Sequence, residues 1–241
     1  MKEVPVKNEL AVGNPDKESP VIGIVFPVLN QFELAIKAIV SIRTKYPYHV
    51  IIVPQYDLRL PLAAAWNMGI QTAINKDCNR ILVCNDDILF SPLAIDAMAD
   101  RLSKGDVGMA TGCNVIDSVP ADAITSHHSD SSDESEGPDF ACFMITPRTF
   151  EIVGTFDERF VPAYFEDNDY HYRMKLKGVK AIATTAAPYI HYGSRSQNGD
   201  PERPVVPGDQ FEKNRGYYIE KWGGAPGQET FTEPFGGQEV A

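Results

Sequence analysis

The sequence lacks any apolar segment long enough to cross a membrane. Its longest apolar run, residues 21–29, is interrupted by Pro27 and is far shorter than the roughly 20 residues that a membrane helix needs. The N-terminus also has no apolar run behind its charged residues, as a secretory signal would require. We therefore expect a soluble, cytoplasmic protein.

Cysteine and cationic side chains are also scarce. The four cysteines show no short paired spacing, which argues against a zinc site and indicates small core residues in a reducing compartment. Lysine and arginine total 22 against 33 aspartates and glutamates, and the net charge is −11. A field of that sign repels phosphate backbones, so we expect no nucleic-acid partner. A phosphate-bearing substrate would need a metal ion or local cations.

The 241-residue chain is instead rich in alternating strand and helix patterns. Continuous apolar runs predict strands at residues 21–26, 50–53, 81–84, 107–111, 140–145 and 180–187. Because helical patterns separate most of them, we expect an α/β domain with a mostly parallel central sheet flanked by helices. We divide the chain into an N-terminal arm (1–20), this domain (21–194) and an irregular C-terminal segment (195–241).

Ligand sites in such sheets lie beyond the carboxyl ends of the strands. That rule directs attention to residues 27–30, 54–59 and 85–87. Residues 117–138 are polar, acidic and rich in serine, which predicts a mobile loop. Such a loop could close over a bound ligand, or it could be a solvated surface loop with no role.

Asn85-Asp86-Asp87 directly follows a predicted buried strand. Adjacent carboxylates at a strand end repel each other unless a cation lies nearby, and Mg²⁺ and Mn²⁺ prefer oxygen ligands. A turn in which the acids accept hydrogen bonds from loop amides would explain the same residues. On this motif alone both interpretations stay open.

A second acidic group lies at the start of a predicted helix, residues 167–177. Glu166, Asp167 and Asp169 follow Tyr164 and Phe165, and aromatic neighbours could tune a carboxylate as a general base. Favourable charge at the positive end of a helix is the simpler explanation for one or two of these acids. A lone histidine, His191, follows a late strand and is by itself a weak signal.

In combination these motifs resemble the GT-A fold glycosyltransferases, specifically their family-2 group. The most specific part is Gly-x-Phe-Asp-Glu-x-Phe at 154–160, followed by Tyr-Phe-Glu-Asp-x-Asp at 164–169. An alanine-rich helix with Asn-x-Gly at 67–69 is a second match, and Asn85-Asp86-Asp87 lies at the family's Asp-x-Asp position. The resemblance extends over roughly residues 21–195.

The resemblance implies a role for each matching residue. Asp87 matches the carboxylate that binds the metal holding a nucleotide diphosphate sugar, and His191 matches a second metal ligand. Asp167 matches the catalytic base of inverting members, and Glu166 would orient the acceptor or the donor sugar. Asp86 would lie near the donor's ribose or sugar.

The resemblance also implies a nucleotide-binding set. Pro27 and Asn30 match the loop around the base, and Asn67 belongs to the Asn-x-Gly motif. The family usually places a base-reading aspartate directly behind the second strand. Here Asp57 lies in a shifted position and could substitute for it.

The expected reaction is the transfer of one sugar, with inversion, to an acceptor hydroxyl, with Mn²⁺ or Mg²⁺ as cofactor. The Gln-x-x-Arg-Trp motif of processive synthases is absent from the sequence. Two alternatives stay open: a nucleotidyltransferase, which would commonly carry a glycine-rich, lysine-bearing first loop, and a non-catalytic carbohydrate-binding relative. The oligomeric state is left open.

Overall fold

The computed structural model describes residues 19–193 and 209–238, except for the side chains of Tyr56 and Asp57. The strands are β1 (Ile22–Val28), β2 (Tyr48–Pro54), β3 (Arg80–Cys84), β4 (Ile88–Phe90), β5 (Met109–Asn114), β6 (Glu134–Glu136), β7 (Cys142–Ile145) and β8 (Ala181–His191). The helices are α1 (Phe32–Ser41), α2 (Gln55–Leu58), α3 (Leu62–Ile74), α4 (Ala94–Leu102), α5 (Pro147–Val153), α6 (Glu166–Leu176) and α7 (Gln210–Trp222). Single 3₁₀ turns lie at Ile124–Ser126 and Pro234–Gly237.

The eight strands form one sheet in the order β2-β1-β3-β7-β5-β8-β4, and β6 pairs with β8. The α/β fold with a central sheet flanked by helices is confirmed, and the sheet is mixed. β1 pairs in parallel with β2 and β3, and β5 with β8, whereas the other four pairings are antiparallel. The reason is that β7 follows β5 without an intervening crossover helix, so it enters the sheet in the reverse direction.

Helices cover both faces of this sheet. On one face, α1 packs against β1 and β4, and α4 packs against β5 and β8, through buried residues that include Ala35, Ala38 and Met98. On the other face, α3 packs so closely on β1 that a Cβ placed at Gly69 would lie 2.1 Å from a methyl group of Val25. Glycine at this position therefore allows the helix to approach the sheet, which gives part of the Asn-x-Gly motif a packing role.

The segment expected to be irregular contains one helix, α7. Its Tyr218 and Trp222 are buried in a cluster with Phe160 and Phe165, which flank the start of α6. Residues 1–18 of the predicted arm and residues 194–208 lie outside the described residues. The helices in the described part of the chain are all too short or too polar to cross a membrane.

Candidate active site

The carboxyl ends of β1, β2, β3 and β8 meet at one edge of the sheet, where the chain forms a cavity of about 340 Å³. Because β7 runs in the opposite direction, the residues that precede it reach the same edge. The cavity is lined by Pro27, Leu29, Gln55, Leu62, Trp66, Asn85, Asp86, Asp87, Asp139, Phe140, Ala141, Pro162, Ala163, Tyr164, Glu166, Asp167 and His191. Six of the nine residues proposed from the sequence are in this group. They are Pro27, Asp86, Asp87, Glu166, Asp167 and His191.

The structure brings Asp87 and His191 together, although they are far apart in the chain. Asp87 follows β3, His191 ends β8, and Oδ1 of Asp87 lies 3.1 Å from Nε2 of His191. The Asn85 amide lies 3.2 Å from the same ring nitrogen. Asp86 is buried beside them, and its Oδ2 accepts a hydrogen bond from the backbone N–H of Leu29 at 3.3 Å. A carboxylate and an imidazole therefore converge on one point of the cavity wall.

The electrostatic field around Asp87 and His191 favours a positive charge. Burial alone would lower the pKa of His191, but the hydrogen bond and charge of Asp87, with the charges of Asp139 and Asp86, outweigh burial and raise it. Carboxylate oxygen and imidazole nitrogen are ligands that Mn²⁺ and Mg²⁺ accept. In the described part of the chain, no three His, Cys, Asp or Glu side chains cluster as a complete metal site. Asp87 and His191 supply two possible ligands, so an ion held here would need its remaining ligands from water or a bound substrate.

Two carboxylates from the first turn of α6 also line the cavity. Glu166 is 3% exposed, and its Oε2 is buried without a hydrogen-bond partner. Burial, with the charge of Asp167 as the second cause, raises the pKa of Glu166 to about 8. Asp167 is only half-buried by its exposed area, and burial raises its pKa as well, against hydrogen bonds from the backbone. Both acids are therefore more basic than ordinary carboxylates.

The third acid of this motif, Asp169, has a structural position. It is fully buried, and its Oδ1 forms an ion pair with Lys221 Nζ at 2.5 Å and accepts a hydrogen bond from Trp222 Nε1 at 2.9 Å. Its Oδ2 accepts a hydrogen bond from Arg173 Nε at 2.9 Å. Lys221 also lies 2.7 Å from Asp157, and this buried group of charges fastens α7 to the start of α6.

The loop before α6 is held in an unusual conformation. Tyr164 and Phe165 both adopt a left-handed backbone, with φ of 82° and 73°. Such a conformation costs about 1–3 kcal/mol for a residue other than glycine and persists only when its surroundings enforce it. The buried Asn214 amide of α7 donates hydrogen bonds to the carbonyls of Val161, Ala163 and Tyr164, at 3.1, 2.8 and 3.2 Å. α7 therefore shapes the cavity wall next to Glu166.

Comparison with known proteins identifies the fold. No family model matches the chain. GalNAc-T7, solved with UDP, GalNAc and Mn²⁺, has a TM-score of 0.63 at 14% identity over 85% of this chain and 49% of that one. The catalytic domain of Drosophila β1,4-galactosyltransferase 7, solved with xylobiose, has a TM-score of 0.56 at 14% identity over 81% of this chain and 79% of that one.

The fold is that of the GT-A glycosyltransferases. In sequence, 58 residues are 33% identical to a galactofuranosyl glycosyltransferase of Leishmania donovani and cover 24% of this chain and 13% of that protein. The chain thus spans about half the length of GalNAc-T7 and a small part of the Leishmania protein. A shared GT-A fold does not transfer their substrates to this chain.

Two residues predicted for nucleotide binding, Asn67 and Asn30, lie outside the cavity lining of this GT-A fold. Asn67 donates hydrogen bonds to the Phe156 carbonyl and to Glu158, and it accepts one from the Phe156 N–H, so its amide serves the 154–160 loop. Asn30 accepts a hydrogen bond from the neighbouring Gln31 amide. The side chain of Asp57 lies outside the described part, and Gln55 lines the cavity behind β2.

One cavity carboxylate, Asp139, was missed in the sequence. Its Oδ1 accepts a hydrogen bond from the Ala141 N–H at 2.9 Å, and its Oδ2 accepts one from the Tyr189 hydroxyl. Asp139 follows the acidic loop of residues 117–138. The sequence pattern there does not distinguish a cavity-lining acid from its acidic neighbours. The antiparallel direction of β7 places it beside the Asp87–His191 pair, and that direction was not predicted.

Proposed function

We propose that this chain is a family-2-like glycosyltransferase that transfers a single sugar, with inversion, from a nucleotide diphosphate sugar to an acceptor hydroxyl. One observation carries the proposal. The Asp87–His191 pair and the Glu166–Asp167 pair line a single cavity at the carboxyl edge of a GT-A fold. The first pair suits a metal-held diphosphate and the second suits the deprotonation of a hydroxyl.

Asp87 and His191 would hold a divalent cation, and the bound ion would neutralise charge on the departing diphosphate as a Lewis acid. The net charge of −11 and the four aspartates that line this cavity would repel a diphosphate in the absence of a cation. The imidazole ligand tilts the preference towards Mn²⁺. Manganese and UDP are bound in the GalNAc-T7 structure, which makes a UDP-sugar with Mn²⁺ the first combination to test.

Asp167 would accept the proton of the acceptor hydroxyl as the new bond forms. Its raised pKa improves it as a base, while its partial exposure leaves it within reach of an incoming acceptor. Glu166, with a pKa of about 8, would hold its proton at neutral pH and donate a hydrogen bond to a sugar oxygen. One base and one leaving group imply a single displacement, which inverts the anomeric configuration.

A thermal-shift screen tests the proposal. Nucleotide sugars are added to the protein with and without Mn²⁺, and a ligand that binds only the folded state raises the melting temperature by mass action. At a hundredfold excess over its dissociation constant, such a ligand stabilises the fold by about 2.7 kcal/mol. We expect a shift that requires both the nucleotide sugar and the metal.

The products separate this function from the two alternatives. Release of a nucleoside diphosphate together with a glycosylated acceptor supports the glycosyltransferase. Release of pyrophosphate would indicate a nucleotidyltransferase, and binding without turnover of any donor would indicate a non-catalytic relative. The absence of any shift across the nucleotide sugars would contradict the proposal.

A further inference from the structure

Apolar side chains that do not line the cavity remain exposed on α1 and on the edge strand β2. On α1, the stripe of Phe32, Ile36 and Val40 is between 54% and 65% exposed. These residues recur every four positions and so lie on one side of the helix. The opposite side, with Ala35 and Ala38, is buried against the sheet.

The second half of this surface is one face of β2. Ile51 and Val53 are buried together with residues of α3 on one face of the sheet. The alternate residues of β2 therefore point to the opposite face, and α1 covers the β1 part of that face. Those residues are Tyr48, Val50 and Ile52, which are 46%, 37% and 53% exposed. Among the described residues, β2 pairs only with β1 and no helix covers this face.

The helix stripe and the bare strand face are the two complementary parts of a helix-on-sheet contact. An isologous dimer requires one surface patch to be complementary to itself. A twofold axis beside β2 would place the α1 stripe of each copy on the bare β2 face of the other, so both parts would be buried twice. A different partner would have to supply both a helix stripe and a strand face, whereas a second copy already carries them.

Charge and size also favour a second copy. The exposed charged residues along α1 and just after it are Glu33, Lys37, Arg43 and Lys45, one acid and three bases, in a chain with a net charge of −11. Two copies therefore meet less repulsion here than their net charges suggest. Six large, exposed apolar side chains suit the centre of a standard interface, about 800 Å² per partner.

We propose that the chain forms a twofold homodimer in which the Phe32–Ile36–Val40 stripe of each copy packs on the Tyr48–Val50–Ile52 face of the other. This inference is independent of the proposed function. Light scattering of the full chain at micromolar concentration should give twice the monomer mass of 26.6 kDa. A monomer at all accessible concentrations would overturn the proposal.

Two single variants test the reciprocal contact. Ile36→Glu and Ile52→Lys each place an unpaired charge in both halves of the homodimer, so each variant should be monomeric. In an equimolar mixture, a heterodimer has one half with the glutamate facing the lysine and one half with both native residues. The mixture should therefore regain the dimer mass. Continued monomer in the mixture would overturn the reciprocal arrangement.

Controls separate this result from other causes. Met68→Lys changes a comparably exposed apolar residue on α3, and it should leave the dimer intact. Circular dichroism should show that Ile36→Glu and Ile52→Lys fold, as substitutions at exposed positions allow. The full chain could instead be monomeric, with deletion of residues 1–18 speeding hydrogen exchange at Val50 and Ile52. That result would assign this face to residues 1–18 and overturn the proposal.

Discussion

Glu166 and Asp167 are adjacent residues whose surroundings suit them to different tasks. The helix start favours the charged form of Asp167, but burial outweighs it and raises the pKa of this carboxyl. Asp167→Asn keeps the shape and removes the basicity, so donor binding should persist. The transfer rate at saturating donor should fall about 10³-fold, which corresponds to about 4 kcal/mol.

The matched variant is Glu166→Gln. A neutral amide also donates a hydrogen bond, as the protonated Glu166 would at neutral pH, so this variant should keep much more of its transfer rate than Asp167→Asn. Asp169→Asn is expected to disturb the buried charges around Lys221, and its effect should appear in stability. Collapse of transfer in Glu166→Gln, with near-normal transfer in Asp167→Asn, would move the base to Glu166.

Glu166 also makes stability depend on pH. The folded-state pKa of about 8 lies above the ordinary value of 4.5, so between these values the unfolded chain loses a proton that the folded protein keeps. Stability should therefore fall as the pH rises through this window. Glu166→Gln removes this titrating group. The free energy of unfolding of the variant, relative to that of wild type, should therefore increase as the pH rises towards 8. Each tenfold change in proton affinity contributes about 1.4 kcal/mol. An advantage that is equal at both ends of the window, in denaturant titrations, would contradict this assignment.

At the scale of elements, α7 supports the active-site loop through Asn214. Asn214→Ala leaves three loop carbonyls without this donor and should cost about 1–3 kcal/mol of unfolding free energy. The left-handed conformation of Tyr164 and Phe165 should then relax, and hydrogen exchange of residues 161–165 should speed up. Asn75→Ala, which removes an exposed amide, is the control. Unchanged exchange in Asn214→Ala would show that α7 does not hold the loop.

Most elements could be predicted because their signals are local. The buried runs of β1 and β3 and the helical pattern of α6 depend on neighbouring residues, and the structure confirms these elements. The direction of β7 depends on pairing with β3 and β5, which no local pattern records. This long-range pairing explains why the reverse direction of β7 was not predicted.

The same distinction applies to the candidate site. Asp87 and His191 were identified by a resemblance in their flanking motifs, and the structure places them in contact. Asn67 was identified by a motif as well, but its partners are Phe156 and Glu158, about 90 positions later in the chain. Asp139 has no motif, and its partner Tyr189 lies 50 residues away. Contacts at such separations become visible only in the folded chain.

At the scale of the whole molecule, a strongly acidic chain has a cavity whose wall is itself acidic. Such a cavity repels a diphosphate unless a cation intervenes, so donor binding should depend on the metal. Asp87→Ala should abolish metal-dependent donor binding while leaving the fold intact. His191→Ala should weaken donor binding less, because a water can replace one ligand.

The release of nucleoside diphosphate from nucleotide sugars, measured with and without Mn²⁺, tests the glycosyltransferase assignment most directly. The wild-type protein should release it only with the metal, and Asp87→Ala should not release it. Glu212→Ala, which removes an exposed acid of α7, should behave as wild type. Unchanged metal-dependent release by Asp87→Ala, or pyrophosphate as the product of the wild-type protein, would contradict the assignment.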